Sequence, residues 1–442
     1  MSKKERDLPT NRISRFGNFA SLATRVAGNV IKEGSKQLAQ GNKPQIKDLL
    51  LTPGNIQRLT DQLAHLRGAA MKLGQMLSMD AGDILDPELA KILARLRSDA
   101  DPMPAKQLSK TMEQGLGEDW KSLFLSFTYK PLASASIGQV HQAHTDDGDR
   151  VAVKVQYPGV KNSIDSDVNN VGTLLNVVGL IPKGVNYQEL LEDAKIQLHD
   201  EADYLREADF AQQYKTLLND NKNFIVPDIY PECSCDTVLT MTFIDGVAIE
   251  SLVDEPQEVK DRVLKQLITL FFRELFEFKM VQTDPNYANY LYCKESGRVA
   301  LLDFGATRVY SEKISEGYRV AFRSVLEGDK VELNRALEKI GFFSQDIVPE
   351  QRETILDLVV VACEPVIYQD EFDFKNSDLS KRLQDAGKVL SLEQNYWHTP
   401  PSDALFLHRK IGGMYLLASH LGSRVNVHEL LLPHLYPDGQ RG

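Results

Sequence analysis

Asp284 and Asn289 stand five residues apart in Thr283-Asp284-Pro285-Asn286-Tyr287-Ala288-Asn289, and a hairpin-like strand pair separates them from Asp303-Phe304-Gly305. Carboxylate and carboxamide oxygens are hard donors of the kind magnesium takes. A catalytic Asp followed by an Asn and then an Asp as metal ligands is a set used for phosphoryl transfer. Asp-Phe-Gly alone would mean little, since a given tripeptide occurs by chance in roughly one chain in twenty of this length. The weight therefore falls on further parts and on their order.

Upstream, Val151-Ala152-Val153-Lys154 is an apolar run ending in Lys. It matches the V-A-I-K pattern of a protein kinase's third strand. A buried strand delivering one ammonium at its tip suits a point charge held against nucleotide phosphates. Before it lies Ala133-Ser134-Ala135-Ser136-Ile137-Gly138-Gln139-Val140. Aligned on G-x-G-x-x-G-x-V, Gly138 and Val140 match, while Ala133 and Ala135 replace the first two glycines. Thr145 to Arg150 reads as the turn joining two strands. These parts must be positioned by a loop, a strand, a turn and a second strand, in that order.

An ammonium facing a nucleotide needs a fixed counter-charge. Between Tyr187 and Leu218 apolar residues recur at helical spacing, including Leu190, Leu191, Ala194, Leu198, Ala202, Leu205, Phe210 and Tyr214. Glu201, Asp203 and Glu207 lie on the later turns of this one long helical region, and one of the three is expected to pair with Lys154. Taken singly, Lys154 reads as a strand-end surface lysine, Glu207 as a solvated helix residue and Asp303 as a turn former. Their fixed order argues against those readings.

With Lys72-Leu73-Gly74-Gln75 added, the set resembles the UbiB/ADCK/AarF atypical kinase-like family. The motifs run from about Gln57 to beyond Gly305, and Phe406-Leu407-His408-Arg409-Lys410 resembles the family's C-terminal helix. The resemblance implies that Lys154 pairs with Glu207 to organise the nucleotide site. It implies that Ala133, Ala135, Ser136 and Gly138 form the loop over ATP or ADP. Lys72 and Gln75 would lie over the pocket as regulatory residues, with Lys72 near Glu201 and Asp203. Asp284 would take the catalytic position, and Asn289 and Asp303 would hold magnesium. The family is linked to isoprenoid-quinone formation at a membrane. Tyr287 stands where relatives often carry Trp, a position expected to pack rather than react.

Two departures from ordinary protein kinases follow. Methyl groups at Ala133 and Ala135 limit how closely the loop backbone can approach phosphate. After Gly305 the chain soon enters an amphipathic helical pattern, with no Ala-Pro-Glu and no room for the segment that holds peptide substrates. A small-molecule or lipid acceptor is therefore expected, not a protein.

The chain has 442 residues, 42% hydrophobic and 26% charged, which suits globular folding with more than one core. Its longest apolar stretches are interrupted by Asn176 and Pro182, or by Arg273, Glu274, Glu277 and Lys279, so a transmembrane helix is not expected. Residues 1–50 carry ten Lys/Arg against four Asp/Glu, +6, leaving −17 for the rest of a chain whose net charge is −11. Phe16, Phe19, Ala20, Ala23, Val26, Ala27, Val30 and Ile31 make a helical stripe there, which either lies on an anionic membrane or docks on the protein body. The mostly acidic remainder offers no nucleic-acid face. Cys233, Cys235, Cys293 and Cys363 lack zinc spacing and are expected as thiols. His141 and His144 read as surface histidines, and Asp146 to Asp149 as a solvated turn.

The expected fold is α+β, a two-lobed kinase-like fold with an N-terminal helical K-x-G-Q extension. Residues 1–50 would be the basic leader, 51–125 the extension, 126–245 the small lobe and 246–442 the large lobe, with Ile244-Asp245-Gly246 as the hinge. The function expected is an ATP-dependent kinase or ATPase serving quinone metabolism, in contact with nucleotide, quinone precursors, a membrane or a biosynthetic complex. The alternative is a nucleotide-binding pseudokinase scaffold. The site of action expected is cytoplasmic, peripheral at the inner face of the membrane, or alternatively the mitochondrial matrix side.

Overall fold

The computed structural model describes residues 63, 68–70, 72–73, 102–135, 137–177, 187–390, 394, 396 and 400–436. The basic leader 1–50, Gln75 and Ser136 lie outside the described residues. The architecture is α+β. The described residues fall into two compact units, one running through Ala208 with Asp228–Phe243 added, the other comprising Asp209–Pro227 and Ile244 onward.

The first unit is built on an antiparallel sheet. Strands β1 (Phe124–Phe127), β3 (Gly138–Thr145), β4 (Arg150–Gln156) and β6 (Val238–Thr242) lie in the order β1-β3-β4-β6, with β2 (Ala133–Ser134) paired to β3. The β3–β4 turn is closed by Thr145 N–H donating to Asp149 O at 2.9 Å, with Gly148 at φ +92°. That positive φ is a conformation in which a side chain would be strained.

Side chains alternate across β4, as the pleat requires. Val151, Val153 and Val155 are fully buried against Leu108 and Met112 of helix α1 (Ala105–Leu116), with Trp120 and Phe124 beside them. A second core joins Leu239 and Met241 of β6 to helices α2 (Val160–Val177) and α3 (Tyr187–Glu201). Leu63, Ala69, Ala70 and Leu73 belong to this same core, which holds the Lys72 backbone in place.

The expected single helix from Tyr187 to Leu218 is in fact two, α3 and α4 (Tyr204–Leu217). The break has a local cause. The Asp203 carboxylate accepts from Arg206 N–H at 3.0 Å and so caps the start of α4. Gln156 Nε2 donates to the Ala202 carbonyl at 2.8 Å, satisfying a group freed by the break.

In the second unit, β5 (Phe224–Ile225), β7 (Val247–Ala248), β9 (Tyr290–Cys293) and β10 (Arg298–Leu301) form a sheet ordered β5-β10-β9-β7, in which β5 runs parallel to β10. A two-stranded ribbon pairs β8 (Met280–Gln282) with β11 (Thr307–Val309). Helix α5 (Gln257–Arg273) passes into a π-helical turn over Glu274–Phe278, which ends at Lys279 with φ +51°. Beyond β11 come helices α6 (Glu312–Glu327), α7 (Lys330–Ile340), α8 (Pro349–Ala362), α9 (Leu379–Lys388), α10 (Ser402–Leu421) and α11 (Val427–Leu435). Their core gathers Phe271, Phe276, Tyr318, Leu337, Leu407 and Leu431. Among the described residues no helix is long and apolar enough to cross a membrane.

A second reading is corrected as well. His141 is not a surface residue but fully buried, because β3 turns Gln139, His141, Ala143 and Thr145 to the same covered face. Its Nδ1 lies 2.9 Å from the Thr128 carbonyl, so Nδ1 carries the proton. Nε2 then accepts from Gln139 Nε2 at 2.8 Å, and Gln139 Oε1 accepts from Met103 N–H at 2.9 Å. Burial lowers the His141 pKa, which keeps the ring neutral in this chain of bonds.

Candidate functional site

In the first unit, Lys154 comes from the middle of β4, opposite Val140 on one side and Leu239 on the other. Its ammonium donates to both oxygens of Glu207, at 2.9 and 2.8 Å, and sits 5.0 Å from the centre of the Tyr204 ring. Glu207 is 1% exposed and Lys154 9%, so both charges are compensated almost entirely by protein. A pair this far from solvent is strong only while both members are present.

Lys72 forms an ion pair with Glu201, and both are buried. Of the two carboxylates expected near Lys72, Glu201 therefore takes the ammonium, while Asp203 caps α4.

The loop segment follows an ordinary backbone. Ala133 pairs with Val140 and Ser134 with Gln139, and Ala135 N–H donates to Gly138 O at 2.9 Å. Among the described residues Lys279 is the only non-glycine with positive φ, so Ala133 and Ala135 adopt conformations open to any side chain. Gly138 is different. A Cβ there would lie 2.4 Å from the Val155 carbonyl oxygen and 3.0 Å from Tyr204 Oη, so its lack of a side chain is required by the approach of β4.

In the second unit, the remaining candidates gather at one end of the β9–β10 hairpin. Leu302 N–H donates to the Asn289 carbonyl at 3.0 Å, setting Asn289 and Asp303 at the mouth of the hairpin. The Asp303 carboxylate accepts from Gly305 N–H at 3.0 Å, and the Asp284 carboxylate from Asn286 N–H at 3.1 Å. Thr283 Oγ1 donates to the Ala306 carbonyl at 2.7 Å, tying the 283–289 loop to the chain just past Gly305. Phe304 is buried against Tyr214, ring centres 4.9 Å apart.

Under this loop lies a polar cluster that the sequence did not announce. Lys410 of α10 donates to Gln282 Oε1 at 3.1 Å and to Tyr290 Oη at 2.5 Å. Glu274, in the π turn, accepts from Tyr214 Oη at 2.7 Å. Burial raises the Glu274 pKa, which the nearby Lys410 charge opposes. Burial alone would lower that of Lys410, but Tyr290, Glu274 and Asp284 together hold it above its ordinary value. A narrow pocket adjoins the cluster, walled by Leu267, Leu270, Met414 and Leu417. A π turn beside a buried carboxylate is the sort of local irregularity that marks functional sites.

The family model for the ABC1 atypical kinase-like domain matches residues 95–337. Atypical kinase COQ8, mitochondrial, of Saccharomyces cerevisiae is 37% identical over 429 residues, covering 97% of this chain and 85% of its own. Atypical kinase COQ8B, mitochondrial, of Rattus norvegicus is 35% identical, covering 97% of this chain and 81% of its own. The chain belongs to the UbiB/ADCK/AarF family of atypical kinases. A solved structure, Rv3197 with erythromycin from Mycobacterium tuberculosis, has a TM-score of 0.59 over 92% of this chain and 97% of that one. At 24% identity that likeness carries the fold alone, and the fold is kinase-like. A member of this family is a kinase-type enzyme, and the family implies ATP.

Proposed function

We propose that this chain is an ATP-dependent atypical kinase or ATPase that supports isoprenoid-quinone (ubiquinone) biosynthesis, with a small-molecule or lipid acceptor. The observation that carries the reading is the buried, two-fold hydrogen-bonded Lys154–Glu207 pair. A lysine so held is oriented to meet phosphate oxygens. Asp284 is proposed as the catalytic carboxylate.

Asn289 and Asp303 are proposed as magnesium ligands, and the residues fit that role. They offer a carboxamide and a carboxylate, and Asn289 Nδ2 is buried with no hydrogen-bond partner, so the amide nitrogen is not committed to holding the fold. Two protein oxygens suit a cation that takes the rest of its shell from phosphate and water. Magnesium, when bound, neutralises charge on the phosphates.

The names of the relatives support a mitochondrial setting. Partners proposed are nucleotide, quinone precursors, an anionic membrane surface and a biosynthetic complex. Segment 307–311 leads directly into α6, which supports an acceptor other than a peptide.

The test is thermal shift with Mg-ATP and Mg-ADP, then phosphate release with and without anionic liposomes. Wild type should be stabilised in a magnesium-dependent way, and Asp303→Asn should lose the magnesium dependence. Binding without turnover under any condition would favour a nucleotide-binding scaffold. No shift with either nucleotide would sink the reading.

A further inference from the structure

We propose that Lys410 is a positioning residue that clamps both ends of the catalytic loop, with Gly413 letting helix α10 close onto the same loop. The inference rests on reading Asp284 as the catalytic carboxylate.

In protein kinases the catalytic Asp follows His and Arg in H-R-D. Here those places hold Gln282 and Thr283, so the loop brings no cation of its own. One arrives instead from a helix 128 residues away in sequence. Lys410 donates to Gln282, immediately before the 283–289 loop, and to Tyr290, immediately after it. Both bonds run to side chains whose backbones belong to β8 and β9, so the ammonium, together with a 3.4 Å bond from Tyr290 Oη to Gln282 Oε1, holds the two ends of the loop to each other. Lys410 is 4% exposed, and holding a buried cation there is costly unless its bonds are made.

Gly413 lies three residues further on, on the same face of the helix. A Cβ at Gly413 would stand 2.3 Å from Pro285 Cβ, so only glycine lets the helix meet the residue after Asp284. Tyr287 Oη donates to the Gly413 carbonyl at 3.4 Å, a further tie between the helix and the loop. A lysine serving only to neutralise Glu274 would not need bonds to both loop flanks, nor a glycine one turn on.

The experiment uses the full chain with Lys410→Met, Lys410→Arg and Tyr290→Phe. Steady-state phosphate release, nucleotide affinity and amide hydrogen exchange across 283–290 are measured. Misplacing a catalytic group by about an ångström costs about 100-fold, so Lys410→Met should lower kcat by about that factor. Nucleotide affinity measured without magnesium should stay within about two-fold, since Asn289, the loop's proposed contact to the nucleotide, acts through the metal. Exchange across 283–290 should quicken, and Lys410→Arg, which keeps the charge and donors, should recover part of kcat. If Lys410→Met fails to fold, Tyr290→Phe removes one acceptor of the ammonium and the Tyr290 Oη bond to Gln282 Oε1 while keeping Lys410, and should quicken exchange in the same segment. Unchanged exchange in a folded variant overturns the clamp. A wild type without turnover overturns the catalytic reading instead, while the exchange data still decide whether Lys410 holds the loop.

Discussion

Lys154 Nζ donates to both carboxylate oxygens of Glu207, and neither residue has more than a tenth of its surface in contact with solvent. Such a pair is balanced between desolvation and attraction, so its net worth is small while the loss of one member is severe. Lys154→Met should destabilise the chain by about 3–5 kcal/mol, because the buried Glu207 carboxylate loses the Lys154 charge. Pairing that change with Glu207→Leu should recover much of the loss. Urea unfolding of the two variants checks this, and equal destabilisation would show that packing, not charge, dominates there. Nucleotide-induced stabilisation should vanish in both.

The Lys72–Glu201 pair makes a separate forecast. Lys72 sits in the same apolar core as α3, so its ammonium has a fixed partner and does not sample solvent. Lys72→Ala should change nucleotide hydrolysis or autophosphorylation while leaving a folded chain. In a double-mutant cycle with Glu201→Ala, the coupling should be about 0.5–3 kcal/mol. Strict additivity in stability, with wild-type hydrolysis, would remove Lys72 from any regulatory role.

The order of parts was legible because each motif carries its own local physics. The β-branched run before Lys154 makes a strand, and Gly148 makes the turn before it. The partner of Lys154 was less so, since Glu201, Asp203 and Glu207 all lie on helical turns and the residues alone do not choose among them. The geometry separates them into an ion pair with Lys72, a helix cap and an ion pair with Lys154. An Asp at 203 just before a renewed apolar pattern was a readable cap signal, overridden by the continuous spacing of Leu198, Ala202 and Leu205. His141 misled because Gln139 and His141 make a buried face look solvated, whereas each satisfies the other. Lys410 stood out only as the end of Phe406-Leu407-His408-Arg409-Lys410, and its role could not be read, since its partners Gln282 and Tyr290 are far away in sequence.

His408 gives a pH forecast. Its ring is packed near Phe342 and Tyr318, and burial lowers its pKa from 6.5 to about 4. The folded state therefore binds its proton more weakly than the unfolded chain does. The stabilisation is full above the unfolded value of 6.5 and is lost as pH falls towards about 4. This residue alone should contribute a slope of at most ~1.4 kcal/mol per pH unit across that window. Urea midpoints of wild type and His408→Gln, compared between neutral and mildly acidic pH, check it. A wild-type curve no steeper than that of the variant would remove His408 as the cause.

Ala133 and Ala135 stand where ordinary kinases have glycine, and both are held in an ordinary, hydrogen-bonded backbone. Both residues keep negative φ, Ala133 is locked in register with Val140, and Ala135 N–H is already spent on Gly138 O. Glycine at these places would open positive φ and let backbone N–H groups turn towards phosphate. With alanine, a loop that does not fold down on a γ-phosphate should leave adenine and α/β-phosphate contacts largely intact. ADP should then bind comparatively well, and transfer to a protein hydroxyl should be poor. Ala135→Gly, whose N–H bond lies at the bend, should shift preference towards ATP and raise autophosphorylation more than Ala133→Gly, which remains strand-paired. Paired ATP and ADP titrations with autophosphorylation assays on the three proteins decide the matter. An unchanged affinity ratio with unchanged autophosphorylation would show that the two methyl groups are incidental to nucleotide choice.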